Sequence, residues 1–193
     1  MSLYTVAKNL CAAIFYPRYR IKVEGKENVP KGGPVLICSN HISNYDPIVV
    51  GITCPRDIYF MAKEELFSNK IIGGLLRKIH AFPVKRGMGD RQALRRGLDV
   101  LKENHALGLF PEGTRSKTGE VGKGLAGAGF FATRSDAHVV PCAIIGTYKG
   151  KEPLRVVYGK PINISELKER KASAQEVSDA IMDEIRILKD NKE

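Results

Sequence analysis

Seven short apolar runs constrain this chain most: YRIKV at 19–23, PVLICS at 34–39, DIYFM at 57–61, AFPVK at 81–85, ALGLF at 106–110, HVVPCAII at 138–145 and LRVVY at 154–158. Each has the length of a strand, and helical periodicity fills most of the gaps between them, a rhythm that sandwiches a sheet between helices. The expectation is an α/β fold: one domain with a largely parallel or mixed central sheet of about seven strands, flanked by helices. At 193 residues the chain can build one sizeable core and is short for two. Pro83 and Pro141 lack the N–H that a ladder uses, so their strands belong at sheet edges or at bulges.

Helix signals occupy the intervals. Asp90 is placed to cap RQALRRGLDVLKEN, with Leu94, Leu98 and Leu101 turned inward. Ser173 and Glu176 form a capping box before a last helix whose stripe is Val177, Ile181, Ile185 and Leu188. The apolar residues of EELFSNKIIGGLLRKI, at 64–79, spread too widely for one buried stripe, so part of that surface is expected to face a lipid or an acyl chain. SLYTVAKNLCAAIFYP, at 2–17, resembles a membrane span but is too short: fifteen residues of helix reach about 22 Å against a hydrocarbon core of about 30 Å. It reads as an amphipathic helix, with Leu3, Val6, Leu10 and Ile14 on one stripe, suited either to a membrane interface or to packing on the core. The expected division is therefore 1–17 as this helix and 18–193 as the domain proper.

Lys and Arg number 31 against 21 Asp and Glu, a net charge of +10 that draws the chain to polyanions: nucleic acid, an anionic membrane or phosphorylated substrates. The absence of Trp, the scarcity of aromatics within basic runs and the lack of a reader motif argue against nucleic acid. Cys11, Cys38, Cys54 and Cys142 are scattered without CxxC spacing and read as reduced thiols of a cytosolic setting. No His, Cys, Asp and Glu cluster has metal-ligand spacing.

Two constellations follow apolar strands, where α/β sheets gather ligands. In NHISNYDP, His41 precedes Asp46 by five residues. Asp46 can cap the helix that starts at Pro47, or fold back to hold one imidazole nitrogen and leave the other as a general base. No G-x-S-x-G elbow accompanies them, so the base would activate a substrate hydroxyl or water. In FPEGTRS, at 110–116, Glu112, Gly113, Thr114 and Arg115 offer a carboxylate, backbone donors, a hydroxyl and a guanidinium, a set suited to a phosphate on a polyol. Thr114 stands where a P-loop requires lysine, which excludes that nucleotide site. Lys85 and Arg86 form a basic loop after the fourth strand, a second candidate phosphate contact, and Lys123 lies in GKGLAG at the mouth of the same site.

NHISNYD at 40–46, FPVKRG at 82–87, FPEGTRS at 110–116 and VVPCAIIG at 139–146 together resemble the four ordered blocks of the glycerolipid acyltransferase family. The resemblance implies that His41, oriented by Asp46, deprotonates the sn-2 hydroxyl of lysophosphatidic acid, which then attacks an acyl thioester of acyl carrier protein or CoA and yields phosphatidic acid. Another lysolipid or glycerol 3-phosphate is the alternative acceptor, and a basic, non-catalytic membrane or nucleic-acid-binding protein is the alternative of another class. Glu112, Gly113, Thr114 and Arg115, with Arg86, would hold the glycerol phosphate; no bound cofactor or metal is implied. A substrate with a long acyl chain implies an enzyme on an anionic phospholipid membrane; many members have a longer hydrophobic N-terminus than residues 2–17, and that departure points to a peripheral or monotopic enzyme on the cytoplasmic face.

Overall fold

The computed structural model describes residues 2–85 and 89–191. Its strands are β1 (Lys22–Glu24), β2 (Val35–Ser39), β3 (Ile58–Lys63), β4 (Ala81–Val84), β5 (Ala106–Leu109), β6 (His138–Ile145) and β7 (Arg155–Tyr158), each within three residues of its apolar run at either end. They form one mixed sheet in the order β1-β7-β6-β2-β5-β3-β4. β6 through β4 run parallel, while β7 is antiparallel to β6 and carries β1 parallel to itself.

Central β2 is buried at every residue because helices cover both faces of the sheet, which is why it reads as an unbroken apolar run. Its side chains alternate between two cores: Val35 and Ile37 join one, Leu36 and Cys38 the other. The first core is closed by α1 (Leu3–Tyr19) and α2 (Asp46–Thr53), the second by α4 (Arg91–Lys102), α5 (Gly127–Arg134) and α7 (Ala174–Asp190). Short α6 (Ser165–Glu169) precedes α7. Where α5 meets α7, a methyl on Gly129 would overlap the Ala174 carbonyl oxygen; the bare Gly129 N–H instead donates to Ser178 Oγ at 3.0 Å.

Asp90 caps α4 by accepting the N–H groups of Gln92 and Ala93, and both arms of the Ser173/Glu176 capping box are formed. In α4 the stripe rotates from the expected one: Leu101 is buried with Ala93, Gly97 and Val100, while Leu94 and Leu98 are half-buried. Phe131 of α5 packs so closely over Gly97 that the small residue takes the innermost position. The segment 64–79 is two elements, a 3-10 turn (Glu64–Phe67) and α3 (Lys70–Lys78), because the Asn69 side chain accepts from Ile71 and Ile72 and starts a new helix.

Pro83 occupies edge strand β4. Pro141 lies in an interior strand at a break in register: Cys142 pairs with Tyr158, yet Val139 bridges Ile162, so β6 spends three steps against four on the facing segment. The extra residue lets the ladder pass a position without a donor. Helix α1 runs past Pro17 to Tyr19 and packs on the body, Tyr4 Oη accepting the Ile58 N–H at 3.0 Å and Lys8 Nζ donating to the Cys54 carbonyl at 2.8 Å. Its stripe of Leu3, Val6, Leu10 and Ile14 stays exposed. Among the described residues no helix is long and apolar enough to cross a membrane.

Candidate active site

β2 ends at Ser39, and the next side chain fixes where the chain goes. Asn40 Nδ2 donates to the Ile144 carbonyl at 2.9 Å while its Oδ1 accepts the Ile144 N–H at 2.7 Å, clamping the turn to β6. His41 therefore emerges at the carboxyl edge of the sheet, 7% exposed. Its Nδ1 lies 2.7 Å from Asp46 Oδ2, which also accepts the N–H groups of Ile42 and Ser43 at 2.6 and 2.7 Å. The fully buried carboxylate is surrounded by donors, so the network assigns the imidazole proton to Nδ1 and leaves the Nε2 lone pair available. The two sequence readings of Asp46 are thereby separated: α2 begins at Asp46 with Tyr45 as its N-cap, and no side chain caps it.

The His41 ring stacks on Phe110 with centroids 4.3 Å apart, and Phe110 stacks in turn on Phe60 at 6.0 Å. Beside His41 opens a cleft of about 690 Å³ with mostly apolar walls, among them Met61, Val84, Leu94 and Phe130, and with Lys85 and Asp90 on its lining.

The 110–116 loop joins His41 by two backbone contacts. Glu112 Oε1 accepts the His41 N–H at 2.9 Å, and Ser116 N–H donates to the His41 carbonyl at 2.7 Å. Glu112 Oε2 accepts the Gly122 N–H at 3.0 Å. Glu112, expected at the acceptor's headgroup, accepts one backbone N–H on each oxygen, which makes it a tie between two segments of the site. Gly113 takes a positive φ of 67° that turns the loop, and Thr114 and Arg115 stand exposed beyond it. Lys123 follows Gly122 into solvent, and among the described residues no ion pair engages Arg115 or Lys123. Lys85 is anchored through its N–H to Asp90 Oδ2 at 2.9 Å, and its Nζ lies 3.8 Å from Glu64. Arg86 lies outside the described residues.

The structure adds groups that sequence reading missed: the Asn40 clamp, the Phe110 ring under His41, and Tyr148, whose Oη donates to Asp46 Oδ1 at 2.7 Å. Among the described residues no group of three His, Cys, Asp or Glu is placed to hold a metal ion.

Residues 20–145 match the acyltransferase family model. The chain belongs to the acyltransferase family. It is 35% identical over 167 residues to the 1-acyl-sn-glycerol-3-phosphate acyltransferase of Bacillus subtilis, covering 83% of each chain. It is 34% identical over 172 residues to the chloroplastic 1-acyl-sn-glycerol-3-phosphate acyltransferase of Arabidopsis thaliana, covering 82% of this chain and 48% of that one. The crystal structure of the 1-acyl-sn-glycerophosphate acyltransferase of Thermotoga maritima superposes with a TM-score of 0.75 at 25% identity, covering 99% of this chain and 81% of that one. Acyl transfer is thus the reaction of this acyltransferase, and the matched region contains both His41 with Asp46 and the 110–116 loop.

Proposed function

We propose that this acyltransferase moves a fatty acyl group from the thioester of acyl carrier protein or CoA to the free sn-2 hydroxyl of 1-acyl-glycerol 3-phosphate, forming phosphatidic acid for phospholipid synthesis. The carrying observation is the His41–Asp46 pair, with the 110–116 loop hydrogen-bonded to both backbone groups of His41. The names of the relatives supply the acceptor.

In this reading His41 Nε2 takes the hydroxyl proton as the acceptor oxygen attacks the thioester carbonyl. The tetrahedral intermediate collapses with cleavage of the C–S bond, and the imidazolium returns the proton to the leaving thiolate. Asp46 holds the ring and balances its transient charge; such general-base assistance is worth about 10² to 10⁴ in rate. A covalent thiol route lacks a nucleophile: nearby Cys38 is wholly buried in β2, and burial pushes its thiol up, away from the reactive anion. Arg115, with Lys85, Arg86 and Lys123, would neutralise the acceptor's phosphate while the Thr114 hydroxyl donates to it, and the apolar cleft beside His41 suits an acyl chain.

A long-chain acceptor resides in a bilayer, and the exposed stripe of α1 together with Ile71, Ile72 and Leu75 of α3 offers the surface to meet it. Ile71 is 85% exposed. With basic residues contributing about 1 kcal/mol each near anionic lipid, this supports a monotopic enzyme on the cytoplasmic face of the cell membrane. The test is transfer to lysophosphatidic acid in vesicles from long-chain acyl-CoA and acyl carrier protein thioesters. Phosphatidic acid should form, and His41→Ala should reduce it by about 10² or more; full turnover in that variant would overturn the reading.

A further inference from the structure

Asp46 has one half-buried partner to which acyl transfer as described assigns no task. Tyr148, in the loop after β6, donates its hydroxyl to Oδ1 at 2.7 Å from 102 residues along the chain. The opposite oxygen faces His41 Nδ1 and the two turn N–H groups. The Tyr148 ring is held from outside its own loop, edge-on to Tyr19 of α1 at 5.1 Å and against Tyr45 at 5.6 Å. Phe15 of α1 closes the cluster, 5.4 Å from Tyr19 and 5.6 Å from Tyr45. Burial, then the Asp46 charge, pushes the Tyr148 phenol well above its ordinary value, so it remains a donor.

We propose that Tyr148 is a positioning residue of the reaction: by occupying Oδ1 it locks the Asp46 carboxylate with Oδ2 toward His41, and α1 braces it through Phe15 and Tyr19. The inference rests on the acyl-transfer role of His41 and Asp46. A tyrosine that only filled space could satisfy its hydroxyl on any carbonyl; this one ends on the single carboxylate that orients the base. A charge-assisted bond is roughly twice as strong as a neutral one, and the fourth donor fixes the carboxylate's rotation. The other titratable groups packed around the pair are Glu112 after β5, Cys142 of β6, Tyr45 before α2 and Tyr19 of α1.

The experiment compares wild type with Tyr148→Phe and Tyr19→Leu, running His41→Ala in parallel, and reads kcat, KM for both substrates, thermal melting and the pH profile of kcat/KM. Tyr148→Phe removes only the hydroxyl. We expect kcat to fall about tenfold, the order expected for one charge-assisted hydrogen bond, with KM values within about twofold. The acid limb should move to higher pH, because a carboxylate that loses a donor concentrates its charge toward the imidazole and favours the protonated ring. Tyr19→Leu keeps the hydroxyl but loosens the ring, and should show the same changes more weakly. An unchanged kcat and acid limb in Tyr148→Phe, or a lowered melting temperature with the limb unmoved, overturns the inference while inactive His41→Ala leaves the acyl-transfer reading standing. An active His41→Ala overturns both.

Discussion

The backbone N–H of His41 donates to Glu112 Oε1 at 2.9 Å, across 71 residues of sequence. The other oxygen of the same carboxylate accepts from Gly122, so one buried side chain ties the turn that holds the base to the loop that carries Arg115 and the strip that carries Lys123. Glu112→Gln leaves one oxygen for two donors and points an amide N–H₂ at a backbone N–H. It should cost about 1–3 kcal/mol of stability and at least about tenfold in kcat/KM, measured by urea denaturation and steady-state kinetics. A variant with unchanged stability and turnover would show that the tie is dispensable.

Arg115 is exposed and, among the described residues, unpaired, so its removal should barely touch the fold. Arg115→Ala should raise KM for lysophosphatidic acid about 10- to 100-fold, the worth of a charge-assisted contact to phosphate, and change kcat little. Arg115→Lys should recover only part of the loss, since an ammonium cannot fork onto two phosphate oxygens. A kcat defect without a KM defect would move Arg115 out of the acceptor site.

If the proposed membrane contact is made by the exposed apolar residues of α1 and α3, the two helices should contribute to it separably. Leu10→Glu with Ile14→Glu, or Ile71→Glu with Leu75→Glu, should weaken co-sedimentation with anionic vesicles about tenfold or more per side chain. Stability should stay within about 0.5 kcal/mol, because each of these side chains is more than half exposed. Transfer to a short-chain, water-soluble acceptor should persist in the same variants, and vesicle binding equal to wild type would place the membrane contact elsewhere.

His80 follows the end of α3 at a positive φ of 65° and is stacked between Tyr59 at 4.3 Å and Tyr4 at 4.6 Å, its Nδ1 buried with no hydrogen-bond partner among the described residues. Burial, opposed by Asp57 and aided by His105, holds its pKa below the ordinary 6.5. The unfolded chain therefore takes up this proton first, and the contribution to stability is full above 6.5 and declines as pH falls from there through the depressed folded value. Between about pH 7.5 and about pH 5.5 the wild-type melting temperature should drop more than that of His80→Asn, which tolerates the positive φ and does not titrate. Parallel slopes would show that His80 protonates without cost.

The central strands were legible because a strand buried on both faces, as β2 is, is an apolar run of fixed length, and the less buried β1, β3, β4 and β7 because their runs are still short and apolar enough to stand out, properties local to the chain. The caps of α4 and α7 were legible for the same reason, as Asp90 and Ser173 act within three residues. The split of 64–79 was missed because its apolar content outweighed the single cap at Asn69. At the site, His41, Asp46 and the 110–116 loop stood out by residue type and by their position after strands.

Local sequence thus determined which segments become strands and helices and which residue types gather at the sheet's carboxyl edge, because side-chain periodicity and capping act over a few residues. What each group does there was decided by contacts 71 to 104 residues apart: Glu112 on His41, Tyr148 on Asp46, and Asn40 on Ile144. Such bonds leave no spacing in the chain, since they exist only once β2, β5 and β6 lie side by side and bring their following loops within hydrogen-bond reach.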